Sequence, residues 1–205
     1  MNPKQYVKNA IRTESIVSPI LVNDTAVFKA VVEMFVACAT LLDLYKKNIY
    51  YNKPINEDKW FGAMNTMHGA IHKIHRIKPS EETNTDILDI NSRILHAIIG
   101  IATESGELME AVRAHLGVHD DLDNVNLQEE IGDLNWYEAI LIDALGADWD
   151  DIREKNIAKL KARYPNKFSS EDAVNRDLKA ERKILEGGDA TMRAEYQYPF
   201  GGSDY

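Results

Sequence analysis

Two short acidic motifs decide how this chain is interpreted: Glu104-Ser105-Gly106-Glu107 and Glu130-Ile131-Gly132-Asp133. In each motif two carboxylates stand three residues apart, and on an α-helix such residues are surface neighbours, with about 5–6 Å between their Cβ atoms. If the two helices face each other, all four carboxylates form one group. Like charges held that close repel each other, so this pattern predicts a cation among them.

The residue types in these motifs favour a hard divalent cation. Mg²⁺ is usually held by carboxylates together with substrate phosphates, and Mn²⁺ accepts the same oxygen ligands. Carboxylate-bridged di-iron bundles instead use Glu-x-x-His pairs, which the sequence lacks. The alternative is that these are ordinary solvated carboxylates, which is the commoner situation for any single Glu-x-x-Glu pair. The metal hypothesis therefore depends on the motif being doubled.

Hydrophobic periodicity predicts an all-α fold, since apolar residues recur at helical spacing and strand patterns are almost absent. Residues 1–186 are predicted to form one domain and residues 187–205 a C-terminal tail. A loop is predicted at 117–126, between the two acidic helices. The predicted helices cover 6–13, 25–48, 56–77, 85–116, 127–145, 148–164 and 169–186.

Composition narrows the class of protein. Lys and Arg total 24 against 33 Asp and Glu, a formal net charge of −9, which argues against a nucleic-acid or anionic-membrane partner. Cys38 is the only cysteine, so a disulfide framework is not expected. The apolar run around 30–42 contains Glu33 and is predicted to be too short to span a bilayer. We expect a cytoplasmic protein.

The two motifs resemble the Glu-x-x-Glu and Glu-x-x-Asp signature of MazG-type all-α nucleoside triphosphate pyrophosphohydrolases. Their flanks, 99–103 and 134–137, agree, and the likeness continues over 156–165. The stretches 6–13 and 168–186 resemble short phage-type members, although Val7 stands where a Gln is frequent. The resemblance thus covers about 1–15 and 90–186, and about 16–85 is interpreted as an inserted helical segment.

This resemblance implies an Mg²⁺-dependent hydrolase that converts a nucleoside triphosphate to the monophosphate and pyrophosphate. Metal binding is assigned to Glu104, Glu107, Glu130 and Asp133. Glu107 and Glu104 are the predicted catalytic residues. Glu107 is the preferred acceptor of the proton from the attacking water. The family commonly covers the apolar face of such a hairpin by self-association, so a homodimer or homotetramer is expected.

A basic helix face is the predicted phosphate-binding element. Asn156, Lys159 and Arg163 stand at i, i+3 and i+7, where they could bind phosphate oxygens that the metals leave free. The alternative is a solvated basic helix end. Weaker candidates for contact with the nucleoside are Arg12, Thr13, Trp136, Tyr137 and Arg176.

Other interpretations stay open at this point. A phosphoribosyl-ATP pyrophosphohydrolase would share the helical hairpin and the metal chemistry. A catalytically degenerate interaction protein could use helices 25–77 and the aromatic tail to bind a partner. His68, His72 and His75, at i, i+4 and i+7, could hold a soft metal or a phosphate, although a solvated helix face is the commoner situation.

Overall fold

The structure, a computed structural model, describes residues 1–76, 85–118 and 121–187, and the chain divides into two compact units. The first unit is Met1–Asp148 and the second begins at Trp149. The predicted all-α class is confirmed, because the described strands are only three residues long. The prediction of a single domain with an inserted segment stays a prediction. In chain order the elements are α1 (Pro3–Ala10), a 3-10 turn (Ile11–Thr13), β1 (Leu21–Asn23), α2 (Thr25–Tyr51), α3 (Glu57–Arg76), β2 (Thr85–Ile87), α4 (Ser92–Val118), α5 (Asn124–Ala144), α6 (Trp149–Arg163), α7 (Ser170–Val174) and α8 (Leu178–Leu185).

Helices α2 and α3 pack on each other as a hairpin. Their contact is lined by small buried side chains, which allow the two backbones to come close: Ala30, Ala37, Ala63 and Ala70. An ion pair between Lys73 Nζ and Glu33 Oε2 (2.8 Å) and an edge-on contact between Tyr45 and Trp60 (ring centroids 5.8 Å apart) join the hairpin further along. The helices predicted at 25–48 and 56–77 correspond to α2 and α3, and residue 77 lies outside the described residues.

The prediction of a helix beginning at Thr85 is wrong. Residues Thr85–Ile87 form β2, which pairs antiparallel with β1 so that Val22 lies opposite Asp86. The Asp86 carboxylate accepts hydrogen bonds from the Thr25 backbone N–H (3.1 Å) and hydroxyl (2.6 Å). These long-range bonds favour the extended backbone over the local helical pattern. Helix α4 begins only at Ser92, where Asn91 Oδ1 accepts from the backbone of the first turn.

The predicted single helix at 169–186 is also wrong, because it is two helices, α7 and α8. Asp177 lies between them, and its side chain accepts hydrogen bonds from the backbone N–H groups of Lys179 and Ala180. An Asp that caps the backbone in this way offers it an alternative to continuing a helix, which is why the helix stops and restarts. The predicted tail, apart from Gly187, lies outside the described residues.

Helices α4 and α5 form the second hairpin of the first unit, and both extend further toward their connecting loop than predicted. Helix α4 continues to Val118, and α5 begins at Asn124 because Asp123 caps it, accepting from the Val125 (2.8 Å) and Asn126 (3.2 Å) backbone N–H groups. Within the predicted loop 117–126, residues 117–118 and 124–126 are helical and 121–123 are not, while 119–120 lie outside the described residues. The core of this hairpin consists of Ala97, Ala139, Ile140 and Ile142.

The N-terminal segment is fastened to this second hairpin. Arg93 donates three hydrogen bonds to Glu14, at 2.8, 2.9 and 2.7 Å, and a fourth to Asp143 at 2.7 Å. The Glu14 side chain is only 2% exposed, and its hydrogen bond with Arg93 raises the pKa of that guanidinium. This buried pairing holds the chain after the 3-10 turn against α4 and α5.

Helix α2 is longer than the apolar run that was predicted to be too short to span a bilayer. It has 27 residues and contains an 18-residue window of mean hydropathy 1.8, of which 11% is buried. By length and composition it could cross a membrane, and it is the one such helix in the part of the chain that the structure describes. The prediction counted only the apolar run around 30–42, whereas the helix extends from Thr25 to Tyr51.

A close contact between α4 and α5 generates a stability prediction. The Tyr137 ring lies directly on Gly100, where an added Cβ would overlap it, whereas a Cβ on Gly106 of the same helix would meet no atom within 4 Å. We expect Gly100→Ala to lower the free energy of unfolding by about 1–3 kcal/mol through overpacking. Gly106→Ala is the matched control and should be neutral or stabilising by up to about 1 kcal/mol. Urea unfolding measures both, and equal stability of the two variants would contradict this packing.

Candidate metal centre

Three of the four predicted ligands come together between α4 and α5. One carboxylate oxygen from each of Glu104, Glu107 and Glu130 lies within 4.8 Å of the others. The three-residue spacing places Glu104 and Glu107 on one side of α4, and the packing of α5 brings Glu130 to them. Glu130 is buried, Glu104 half-buried and Glu107 exposed. We call these three residues the acidic cluster.

The charges of the acidic cluster oppose one another. The pKa of Glu104 is raised, first by burial, then by the charge of Glu107 and by a hydrogen bond with Glu130. Burial and like charge both disfavour the ionised form. The cluster therefore favours either a shared proton or a bound cation, and its oxygen-only donors suit Mg²⁺ or Mn²⁺.

Asp133, the fourth predicted ligand, stands slightly apart. It is exposed and is not one of the three residues whose oxygens lie within 4.8 Å. Its charge nevertheless contributes to the raised pKa values of Glu104 and Tyr137. Its role as a metal ligand stays a prediction.

Asn126 supports the acidic cluster, although this role was not predicted from the sequence. Its Nδ2 donates a 2.8 Å hydrogen bond to Glu130 Oε1 from one turn earlier on α5. Such bonds to a ligand carboxylate orient it and often matter nearly as much as the ligand itself. The i, i+4 spacing between Asn126 and Glu130 could have indicated this contact. An amide has no acid–base chemistry, so Asn126 does not stand out as a site residue in the sequence.

A cavity of about 410 Å³ adjoins the acidic cluster on the side of the α4–α5 loop. Glu107 and Glu130 belong to both the cavity and the cluster. The remaining wall combines small or apolar side chains with polar and acidic ones: Glu110, Ala111, Ala114, His115, Asp121, Leu122, Asp123 and Asn126. This space was not foreseen from the sequence, because it depends on where the loop closes.

Two predicted nucleoside contacts, Trp136 and Thr13, are joined to each other. The Trp136 indole N–H donates to the Ala10 carbonyl (3.1 Å) and the Thr13 hydroxyl (3.0 Å). The indole thereby ties the 3-10 turn to α5. Arg12 lies exposed in the same turn, and substrate contacts for all three stay predictions.

Tyr137, another nucleoside candidate, lies closer to the acidic cluster. Its ring is edge-on to Trp136 (centroids 4.7 Å apart) and to His96 (5.5 Å). Burial raises the pKa of Tyr137 most, followed by the charge of Glu104. The phenol is therefore within the electrostatic field of the carboxylates, while its contact with substrate stays a prediction.

The predicted phosphate-binding residues lie on α6 of the second unit, where Arg163 already has a partner. Arg163 and Arg176 both bind the carboxylate of Glu181, with shortest distances of 2.6 Å each. Glu181 is 5% exposed, and the hydrogen bonds from Arg176 and then Arg163 lower its pKa to about 2. Two cations on one anion leave a net positive charge. The sequence analysis did not identify Glu181 as their partner.

Asn156 and Lys159, the other two members of the predicted phosphate-binding face, differ in exposure. Asn156 is exposed and Lys159 is half-buried. Phosphate binding by this face stays a prediction.

Comparison with known proteins adds one finding. Residues 94–168 match the family model described as the MazG nucleotide pyrophosphohydrolase domain, while no curated protein and no solved structure matches the chain. The matched range contains the acidic cluster, Asp133 and α6. It is shorter than the resemblance noted in the sequence, so the likeness of 6–13 and 168–186 to phage-type members stays a prediction. The match confirms the predicted resemblance: over residues 94–168 the chain is similar to the MazG nucleotide pyrophosphohydrolase domain.

Proposed function

We propose that this chain is an Mg²⁺-dependent pyrophosphohydrolase that converts a ribo- or deoxyribonucleoside triphosphate to its monophosphate and pyrophosphate. The observation that carries the proposal is the convergence of Glu104, Glu107 and Glu130 inside the range that is similar to the MazG domain. A bound divalent cation would neutralise phosphate oxygens and lower the pKa of a water molecule.

The protein residues have separable roles in this proposal. Glu130 is buried and oriented by Asn126, so its carboxylate is held ready for a cation with little reorganisation. Glu104, Glu107 and Asp133 complete the oxygen ligands. Glu107 is the exposed member and borders the cavity, which makes it the carboxylate best placed to accept the proton of the attacking water.

The cavity beside Glu107 and Glu130 is the proposed substrate-binding site. Its volume, about 410 Å³, is within the range of roughly 300–1,000 Å³ typical of small-molecule sites. We propose that the triphosphate lies with its reacting phosphates at the acidic cluster. Asn156, Lys159 and Arg163 are proposed to bind phosphate, and Arg12, Thr13, Trp136, Tyr137 and Arg176 to contact the nucleoside.

We further propose that the protein is a cytoplasmic homo-oligomer in which two copies meet through α2. One face of this helix carries apolar side chains that are 45–70% exposed: Val31, Val32, Phe35, Val36, Leu42, Ile49 and Tyr50. With ordinary side-chain areas, their exposed surface totals roughly 700 Å². Each partner in a standard interface contributes about 800 Å², so the two areas are similar. An apolar face of this size normally marks an interaction site.

Catalysis is tested by Glu107→Gln and Asp133→Asn. Each variant should stay folded, by circular dichroism, yet lose at least about 100-fold in Mg²⁺-dependent pyrophosphate release, because a proton acceptor or a ligand is gone. Glu129→Gln, an exposed neighbour of Glu130, is the matched control and should keep wild-type activity. A panel of NTPs, dNTPs and phosphoribosyl-ATP identifies the substrate. Wild-type turnover in either test variant would refute the proposed site.

The raised pKa of Glu104 gives a pH prediction for the metal-free protein. Between the ordinary and the raised pKa, the folded state binds more protons than the unfolded state, so stability falls as pH rises through that range. Glu104→Gln should remove this fall. Mg²⁺ should raise the melting temperature of the wild type at neutral pH, since it binds only the folded state, and should do so less in the variant. Calorimetric melting in EDTA and in Mg²⁺ measures both effects; identical profiles would contradict them.

Self-association is tested by Val36→Asp and Ile49→Asp, which place charges on the exposed face of α2. Light scattering coupled to gel filtration should show an oligomeric wild type and monomeric variants, while Asn65→Asp, an exposed polar position on α3, should stay oligomeric. A monomeric wild type would overturn the proposal. The proposal would also be overturned if the wild type floated with lipid vesicles and the two α2 variants did not. In that case α2 would contact a membrane.

A further inference from the structure

We propose that His68 and His72 form a second metal site, on α3, for a nitrogen-preferring transition ion such as Cu²⁺, Ni²⁺ or Zn²⁺. The two side chains are exposed, and their Nε2 atoms are 3.0 Å apart. The rings lie nearly perpendicular, at 82°, with centroids 4.3 Å apart. Both ring edges that carry the nitrogens therefore converge on one point outside the helix.

The nitrogen separation matches what a metal ion requires. With bonds of about 2.0–2.1 Å, two nitrogens at a right angle lie about 2.9 Å apart, and two in a tetrahedral arrangement about 3.3–3.4 Å. The observed 3.0 Å is close to the right-angle value. Cu²⁺ and Ni²⁺ favour that geometry, while a small rotation of either ring would suit Zn²⁺.

The helix holds the pair in place before any ion arrives. Residues i and i+4 are neighbours on one face of a helix, and α3 is continuous over Glu57–Arg76. The buried Ala70 anchors that turn against α2, and the Lys73–Glu33 ion pair lies one residue beyond His72. In the absence of metal, one of the two Nε2 atoms donates a hydrogen bond to the other. A metal ion would take its place between two neutral imidazoles.

This site differs from the acidic cluster in chemistry and position. Imidazole nitrogen suits Cu²⁺, Ni²⁺ and Zn²⁺, whereas Mg²⁺ requires oxygen ligands, so excess Mg²⁺ should not compete for the histidines. Within residues 1–76, 85–118 and 121–187, the acidic cluster is the group in which three ligand atoms converge. The histidine pair therefore supplies two ligands, and water completes the coordination on the exposed side. The inference does not rest on the proposed hydrolase activity.

The experiment is calorimetric titration of the untagged full chain with Ni²⁺ in excess Mg²⁺. We expect one Ni²⁺ per chain, with at least tenfold weaker affinity in His68→Asn and in His72→Asn. His75→Asn, which removes a neighbouring exposed histidine outside the close pair, is the matched control and should bind as the wild type does. Circular dichroism establishes that each variant is folded.

Two further measurements separate the histidine pair from other ligands. Electron paramagnetic resonance of the Cu²⁺-loaded wild type should show coupling to two nitrogens, reduced to at most one in His72→Asn. Glu104→Gln should leave Ni²⁺ binding unchanged. Wild-type affinity in His68→Asn or His72→Asn would overturn the proposal, and so would a loss of Ni²⁺ binding in Glu104→Gln, since the ion would then lie at the acidic cluster.

Discussion

The close approach of α4 and α5 is the constraint on which the rest of the structure depends. It brings three carboxylate oxygens within 4.8 Å of one another. The repulsion between these carboxylates opposes the helix packing that brings them together. Apolar contacts hold the helices together against this repulsion: Ala139 and Ile140 are fully buried, and Tyr137 lies on the bare backbone of Gly100. A divalent cation would turn the repulsion into shared attraction, so the hairpin combines a stable core with an edge that is unfavourable until a ligand arrives.

The N-terminal segment supplies much of the reinforcement. Arg93 links Glu14 to Asp143, and the Trp136 indole ties the 3-10 turn to α5. These bonds join the ends of the hairpin to a chain segment far away in sequence. Arg93 is paired with two carboxylates, whereas the acidic cluster brings together three groups of like charge. Stability is concentrated outside the cluster, which is the arrangement expected when a functional site is itself destabilising.

Much of this fold could be predicted from local patterns, and the failures share one cause. Helices α2 to α4 follow from hydrophobic periodicity, because each apolar stripe is encoded within a few turns. The strand at Thr85–Ile87 was missed because Asp86 bonds to Thr25, some sixty residues away. The break at Asp177 was missed because a side chain competes with the helical backbone at that point. In both places a specific hydrogen bond outweighs average propensity.

The sequence by itself determined the all-α class, the two acidic helices and the carboxylates available to a metal, because helical spacing places residues three and four apart on one face. Only the tertiary structure decided which three carboxylates converge, that Asn126 orients Glu130, and that a cavity opens beside Glu107. It also revealed that Glu181 binds both Arg163 and Arg176, and that the rings of His68 and His72 turn toward each other. These features depend on side-chain orientation and on contacts between distant segments. Helical periodicity carries neither kind of information, because it reports which face a residue occupies and not what lies opposite.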